Sequence, residues 1–359
     1  MKVLHLPSSV GGMPWALAQG ERSLGLESQV LYKSSDWLGY PYDACVGLQS
    51  VRHWMFRYKM VISAFMSMRR KFDVFHFNYG QTLITSERLR FQHIDLPFYP
   101  KSAKLFVTYN GCDARQKLPT LERTNISACH DPSCYGGICN SGKMDRIRRK
   151  GIEKMARYVT HIWAVNPDLL YFLPKEKSSF LPYAVISGEE SVSRPRFENR
   201  RLRIIHAPTN RGAKGSEIIL ATIRELEKTH GDLFEFRLIE NIPHSKVMKM
   251  FSEADLLIDQ ILVGWYGGVA VEFMRMGRPV VCRIAEEDLK FVPGQMSLDV
   301  TEAFIQAEPE TLKEAVLRCV EGGRAFLKEK AEAALYYAHT WHDPKYVASI
   351  TKEAYETSF

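Results

Sequence analysis

The sequence predicts an α/β protein built from two Rossmann-like β/α/β domains facing a central cleft, and three observations carry that prediction. Residues 254–282 read strand, glycine loop, helix, strand: an apolar run, then Gly264, Gly267 and Gly268, then apolar positions at helical spacing that stop at Gly277 and Pro279. Two buried strands joined by a helix form a βαβ unit, and such a crossover implies parallel pairing. The same order of strand, turn and helix opens the chain at residues 2–25 and restarts at 202–230 after a polar stretch, 186–201, that reads as a linker.

The composition agrees with this class. A chain of 359 residues holds two domains of ordinary size, and 45% apolar with 25% charged residues is globular rather than disordered. It has no apolar run of the roughly 18 residues that a spanning helix needs, and MKVLHLPSS lacks the pattern of a signal peptide, so a cytoplasmic location is expected. Seven cysteines, an odd number, argue against a disulfide framework and for reduced thiols or a metal site. The formal charge of +7 favours acidic partners: nucleotide phosphates, an anionic membrane surface or nucleic acid. Nucleic acid is set aside, because no arginine-rich tail, zinc-finger spacing or aromatic binding motif accompanies the charge.

In chain order, 2–6 is the first strand, and Ser8, Ser9, Gly11 and Gly12 turn into a helix over 13–25. Gly12 thus stands at a first candidate phosphate edge. After a strand at 28–32 comes a helix over 51–71, rich in Met, Phe and Trp, with Arg52, Arg57, Lys59, Arg69, Arg70 and Lys71 interleaved. That composition suits two environments: the surface of an anionic bilayer, or a packed core with a solvated basic face. Strands at 73–78 and 105–110 end in HFNYG and YNGCDARQ, which place Asn78, Asn110, Asp113 and Arg115 at the sheet edge where α/β proteins bind substrates. Asn-Gly is also a common turn pair.

Cys112, Cys129, Cys134 and Cys139 lie in an irregular insertion, 112–139. Four soft ligands in a loop with little core suit a structural zinc, and the alternatives are free thiols or a redox-labile disulfide. A basic helix over 145–158 and strands at 161–166 and 178–184 complete a first domain, 1–185.

The second domain, 186–340, begins with a strand at 202–207 and a loop carrying Arg211 and Lys214, two cations placed to meet a diphosphate. A helix over 216–230 and a strand at 234–241 follow, and backbone groups near Asn241 and Ile242 are candidates for reading a nucleobase. In the central unit, Gly267, Gly268 and Val269 open the helix with N–H groups aimed at an anion, and Glu272 in its first turns is placed to accept from ribose hydroxyls. A helical segment over 341–359 is expected to pack back on the first domain.

With these residues located, the chain resembles the retaining nucleotide-sugar glycosyltransferases of the GT-B fold, family four, nearly end to end. GWYGGVAVEFMRMGRPVVC is similar to that family's paired-glutamate signature, NRGAKG to its arginine and lysine pair, and SSVGGMPWALAQ to its N-terminal glycine loop. FDVFHFNYG, VTYNGCDARQ and AVNPDLLYFLP resemble strand ends of its acceptor-side domain. The resemblance implies transfer of a sugar from a nucleotide-diphosphate donor to a hydroxyl acceptor, with retained configuration and without a catalytic metal. An acceptor of polysaccharide or glycolipid assembly, met at the inner face of a membrane, fits the family's habit.

It further implies that Glu272 holds the ribose, that Arg211 and Lys214 stabilise the departing diphosphate, and that Asn110 lies near the sugar. Gly12, Asn241, Ile242, Gly267, Gly268 and Val269 would line the donor, and Asn78, Asp113 and Arg115 the acceptor. Three positions depart from the pattern. Gly264 stands in place of the first signature glutamate, Asn110 in place of a histidine, and Arg211 lies closer to Lys214 than is usual.

Overall fold

The structure is a computed structural model that describes residues 1–35, 38–85, 92–186, 197 and 201–357, so nearly all of the linker stretch 186–201 lies outside the described residues. The chain forms two compact units. The first comprises Met1–Gln116, Lys143–Val185 and Asp343–Phe359, and the second Lys117–Gly142 and Ile186–His342.

Along the chain the elements are β1 (Lys2–Leu6), α1 (Met13–Ser23), β2 (Glu27–Tyr32), β3 (Ala44–Cys45), α2 (Trp54–Met68), β4 (Val74–Asn78) and β5 (Lys104–Tyr109). Then come α3 (Lys117–Arg123), α4 (Lys143–Ala156), β6 (His161–Ala164), β7 (Ser178–Phe180), β8 (Leu202–His206), α5 (Arg211–Lys214) and α6 (Ser216–His230). The rest are β9 (Phe234–Leu238), α7 (His244–Glu253), β10 (Leu256–Ile258), α8 (Gly268–Arg275), β11 (Val280–Cys282), α9 (Gly294–Ala303), β12 (Phe304–Gln306), α10 (Leu312–Glu321), α11 (Gly323–Trp341) and α12 (Pro344–Thr357).

In the first unit the sheet runs β3-β2-β1-β4-β5-β6-β7, and in the second β12-β11-β10-β8-β9. Every described pairing in both is parallel. The alternation of strand and helix forces this, since each helix returns the chain to the same edge of its sheet. Strands such as VFHFN and LLI are buried throughout, as strands covered by helices on both faces must be.

The first core gathers Val3, Leu17, Val74, Phe106 and Trp163 from the sheet and α1, with Val347, Ala348 and Tyr355 from α12. Gly20 permits that docking, because a Cβ there would stand 2.0 Å from the carbonyl oxygen of Pro344. The second core joins Ile204, Leu256, Ile258 and Val281 of the sheet to Ile219, Ile223 and Leu226 of α6 and to Leu312 and Val316 of α10.

One boundary differs from the sequence reading. Residues 117–142, which hold three of the four insertion cysteines, belong to the second unit rather than the first. Among the contacts that attach them, Arg123 donates to the buried carboxylate of Asp288 (3.0 Å), and the turn at Cys134 lies against α5, where a Cβ on Gly212 would stand 3.0 Å from the Cys134 Cα. A loop without its own apolar face docks where a glycine leaves room, and helical periodicity cannot register that.

Candidate functional site

The second sheet reverses its direction of growth between β8 and β10, with β9 on one side and β11 and β12 on the other. The carboxyl ends of β8 and β10 therefore flank a topological switch point, the place where open α/β sheets leave a crevice for ligands. Lys214 follows β8 and Asp259 follows β10 directly. The Lys214 ammonium donates to Asp259 Oδ1, and Asp259 Oδ2 accepts the Gly267 N–H at 2.8 Å. Both side chains are buried, 10% and 1% exposed, which makes this a true buried pair.

Gly267 caps α8 and carries no side chain to occupy the first N–H groups of the helix. A Cβ there would lie 3.0 Å from Lys214 Nζ, so glycine leaves the ammonium its room beside the helix N-terminus. One carboxylate faces one full cation and the positive end of a helix dipole, which leaves an excess of positive potential for an anion.

Arg211 begins the same short helix, α5, whose cap is Asn210 accepting the Ala213 N–H at 2.9 Å. Its guanidinium grips Glu240 through two bonds, 2.8 and 2.7 Å, and reaches Glu217 at 3.3 Å. Arg211 is half exposed, and its hydrogen bonds, with its charge second, hold the Glu240 carboxyl below its ordinary value. Glu272 of α8 accepts from His244 Nε2 at 2.7 Å. Burial works against the charged imidazole of His244, but the hydrogen bond and negative charge of Glu272 outweigh it and raise its pKa. Asn241, with a left-handed backbone (φ 55), and Ile242 lie between Glu240 and His244. Gly268 and Val269 form the first turn of α8.

Beneath Lys214, His206 is fully buried, with Nδ1 on the Ile258 carbonyl and Nε2 on Ser216 Oγ, both at 2.7 Å. Burial, assisted by the Lys214 charge, pushes its pKa down to about 4, so the ring is neutral and positions the ends of β8 and β10 without adding charge. Asp259, Glu240 and His244 were not singled out from the sequence. The available signal for Asp259 was its place as the first acid after the apolar run LLI.

Gly264 adopts φ 81, and a Cβ there would fall 2.8 Å from Arg283 Nη1 and 2.9 Å from Ala285 Cβ. The departure noted in the sequence therefore has a steric cause. The loop is left-handed at this residue, and the guanidinium of Arg283, bonded to Glu308 at 3.3 Å, occupies the space beside it.

The remaining candidates belong to the first unit. Gly12 caps α1 and sits under the ring of Tyr40. Asn78 ends β4 with its Nδ2 on the His76 carbonyl (3.2 Å), and its buried Oδ1 has no partner among the described residues. Asn110 accepts the Tyr79 N–H at 3.2 Å, while its own carbonyl accepts from Asn166 at 2.6 Å. Asp113 accepts the N–H groups of Asn110 (2.9 Å) and Gly111 (2.6 Å), and burial lifts its pKa to about 6 against those bonds. Arg115 commits its guanidinium to Asp168 through bonds of 2.6 and 2.9 Å. Asp113 and Arg115 thus shape the loop that presents Asn110.

Of the four cysteines of the expected zinc set, Cys112 belongs to the first unit and Cys129, Cys134 and Cys139 to the second, and all four are free thiols. Among the described residues the side chains with ligand atoms mutually close enough for an ion are His5, Glu21 and His76. Those atoms already bond to protein partners. Glu21 accepts from His5 (2.8 Å), Ser28 (2.6 Å), Thr351 (3.2 Å) and Tyr355 (3.0 Å), and His76 bonds Tyr355 and Thr108. This polar network fastens α12 to the first sheet.

No family profile and no curated protein matches the sequence. Solved structures do match over the whole chain. Sucrose-phosphate synthase from Thermosynechococcus elongatus aligns at 13% identity over 100% of this chain and 99% of its own, with a TM-score of 0.64. The catalytic domain of starch synthase IV from Arabidopsis thaliana, bound to ADP and acarbose, aligns at 11% identity over 100% and 99%, with 0.61. UDP-GlcNAc 2-epimerase from Neisseria meningitidis, bound to UDP-GlcNAc, aligns at 13% over 99% and 100%, with 0.51. These neighbours differ in reaction, and what they share with this chain is the fold: two parallel-sheet, Rossmann-like domains of GT-B type.

Proposed function

We propose that the protein is a glycosyltransferase that binds a nucleotide-diphosphate sugar on its second unit and passes the sugar to a hydroxyl of a glycan or glycolipid with retained configuration. The observation that carries this reading is the convergence of the Lys214 ammonium and the α8 N-terminus on one carboxylate at the switch point.

The two cations have different tasks. Breaking the buried Lys214–Asp259 pair costs about 3–5 kcal/mol, so Lys214 keeps Asp259 and offers its remaining N–H bonds to a phosphate. The Arg211 pair with Glu240 is exposed and screened by solvent, so Arg211 exchanges Glu240 for a phosphate at little cost. Glu272, oriented by His244, accepts from the ribose hydroxyls.

In the transfer, the bond from the anomeric carbon to the diphosphate oxygen breaks and its electron pair stays on the diphosphate, whose charge Lys214, Arg211 and the α8 N–H groups stabilise. The acceptor oxygen bonds the anomeric carbon on the same face, and its proton passes to the leaving phosphate. Asn110 has no proton-accepting nitrogen, so its part is to hydrogen-bond the sugar or acceptor.

A second reading, a non-catalytic subunit that holds a sugar nucleotide or glycan, is favoured by Gly264 and Asn110, where the resemblance would place an acid and a base. Incubating the protein with a panel of nucleotide sugars and analysing the products separates the readings. Turnover to free diphosphate and transferred or hydrolysed sugar, lost in Glu272→Ala and Lys214→Ala, supports the transferase. Binding without turnover supports the subunit, and a sugar nucleotide converted to its epimer without release of diphosphate refutes both.

A further inference from the structure

We propose that α2 is an in-plane anchor that docks the first unit on an anionic lipid surface. Of its fifteen residues only Val61 and Phe65 are buried. Met55, Lys59, Ile62 and Met66 follow at steps of four, three and four, which aligns them along one side of the helix, about a third of a turn from the Val61 and Phe65 line. Trp54 and Phe56 are exposed on either flank of this stripe at the helix start. Phe98 joins it at the other end, held by Arg69 donating to its carbonyl at 2.9 Å. Trp54, Met55, Phe56, Ile62, Met66 and Phe98 are all between 48% and 57% exposed, far more than a stripe facing its own core.

Charge selects the occupant. Between Asp43 and Asp73 the chain carries no acidic residue, while Arg52, Arg57, Lys59, Arg69, Arg70 and Lys71 contribute six cations. Such a surface repels a second copy of itself and attracts an anionic one. The apolar residues are flexible methionines and end-of-helix aromatics, and the cations stand on long stems. That combination fits the boundary between headgroup and acyl chain, with aromatics dipped in and the charges reaching back to the headgroups. Among the described residues no helix is long and apolar enough to cross a membrane, so α2 would lie on the surface rather than span it.

The placement suits the fold. As the crossover between the parallel strands β3 and β4, α2 begins at the carboxyl edge of the first sheet, the edge at which β4 delivers Asn78 and β5 leads into Asn110. A lipid-borne hydroxyl would thus arrive at that edge. The docking itself does not depend on the activity proposed above.

Sedimentation of the full-length protein with vesicles tests it. Wild type is expected to pellet with vesicles of equal parts phosphatidylglycerol and phosphatidylcholine and to stay in solution with phosphatidylcholine alone. Replacing the stripe by serine (Met55→Ser, Ile62→Ser, Met66→Ser) should weaken partition roughly 100-fold. Arg57→Gln with Lys59→Gln should weaken it roughly 30-fold, as added salt does for wild type. All these side chains are exposed, so melting curves should be unchanged. A second measurement needs no stripe variant: the emission of Trp54, taken as the difference from Trp54→Phe, should shift to the blue on anionic vesicles. Wild type that ignores anionic vesicles, or a serine variant that pellets as well as wild type, overturns the proposal. So does a dimer in sedimentation velocity that the serine variant abolishes, which would assign the stripe to self-association.

Discussion

Replacing Gly264 by glutamate, the acid that the sequence resemblance would place there, should damage this protein rather than improve it, and the structure gives the size of the effect. At φ 81 an L-residue costs about 1–2 kcal/mol. The new Cβ would also meet Arg283 Nη1 at 2.8 Å and Ala285 Cβ at 2.9 Å, an overpacking worth about 1–3 kcal/mol. The loop has little freedom to retreat, because the Ala285 N–H donates to the Gly264 carbonyl at 2.9 Å and the Arg283 N–H to Gln260 at 3.0 Å. A loss near 3 kcal/mol lowers the melting temperature of a unit of this size by roughly 6–12 °C. Thermal unfolding of Gly264→Ala, Gly264→Asn and Gly264→Glu checks the argument. Asn tolerates the left-handed region and keeps the steric contacts, so it should fall between wild type and Ala. Adding Arg283→Ala to Gly264→Ala removes one of the two contacts but leaves Ala285. If Ala and Asn both melt within about 2 °C of wild type, the loop is not held as described, and the steric account of the missing acid fails.

Three further outcomes follow from the same site. In a double-mutant cycle on urea unfolding, Lys214→Met and Asp259→Asn should each cost about 3–5 kcal/mol while the pair together costs less, giving a coupling above roughly 2 kcal/mol. A coupling near zero would mean the pair is solvated. His206, neutral in the fold because burial lowers its pKa to about 4, takes up its proton preferentially when unfolded. Stability should therefore fall as pH drops from about 6.5 towards about 4, by up to about 3 kcal/mol, and His206→Gln should flatten that slope. The imidazole of His244 should titrate above 6.5 in proton NMR and move down in Glu272→Gln. Any stability its pair contributes is present below 6.5 and is lost as pH rises through the folded pKa, and an unshifted His244 would separate it from Glu272.

Periodicity and punctuation in the chain were enough to determine the class of the protein and most of its elements. The helix read at 216–230 is α6, and residues 254–282 are the β10, α8 and β11 unit, because strand and helix signals depend on residues only a few positions apart. The same local reading placed Lys214, Gly267 and Glu272 at the ends of strands and the start of a helix. It left α2 with two environments, since a helical period shows which residues share a face but not what lies opposite.

Tertiary structure decided the pairings. Asp259 meets Lys214 across 45 residues, and His244 meets Glu272 across 28, only because β8 and β10 are neighbours and α7 returns beside α8. It also took Arg115 into a buried pair with Asp168 and drew the segment 117–142 into the second unit. At Gly264 it filled the space beside the backbone with Arg283. Each of these depends on strand order and on the room left between packed elements, quantities that reside in three-dimensional distance and have no counterpart in residue spacing.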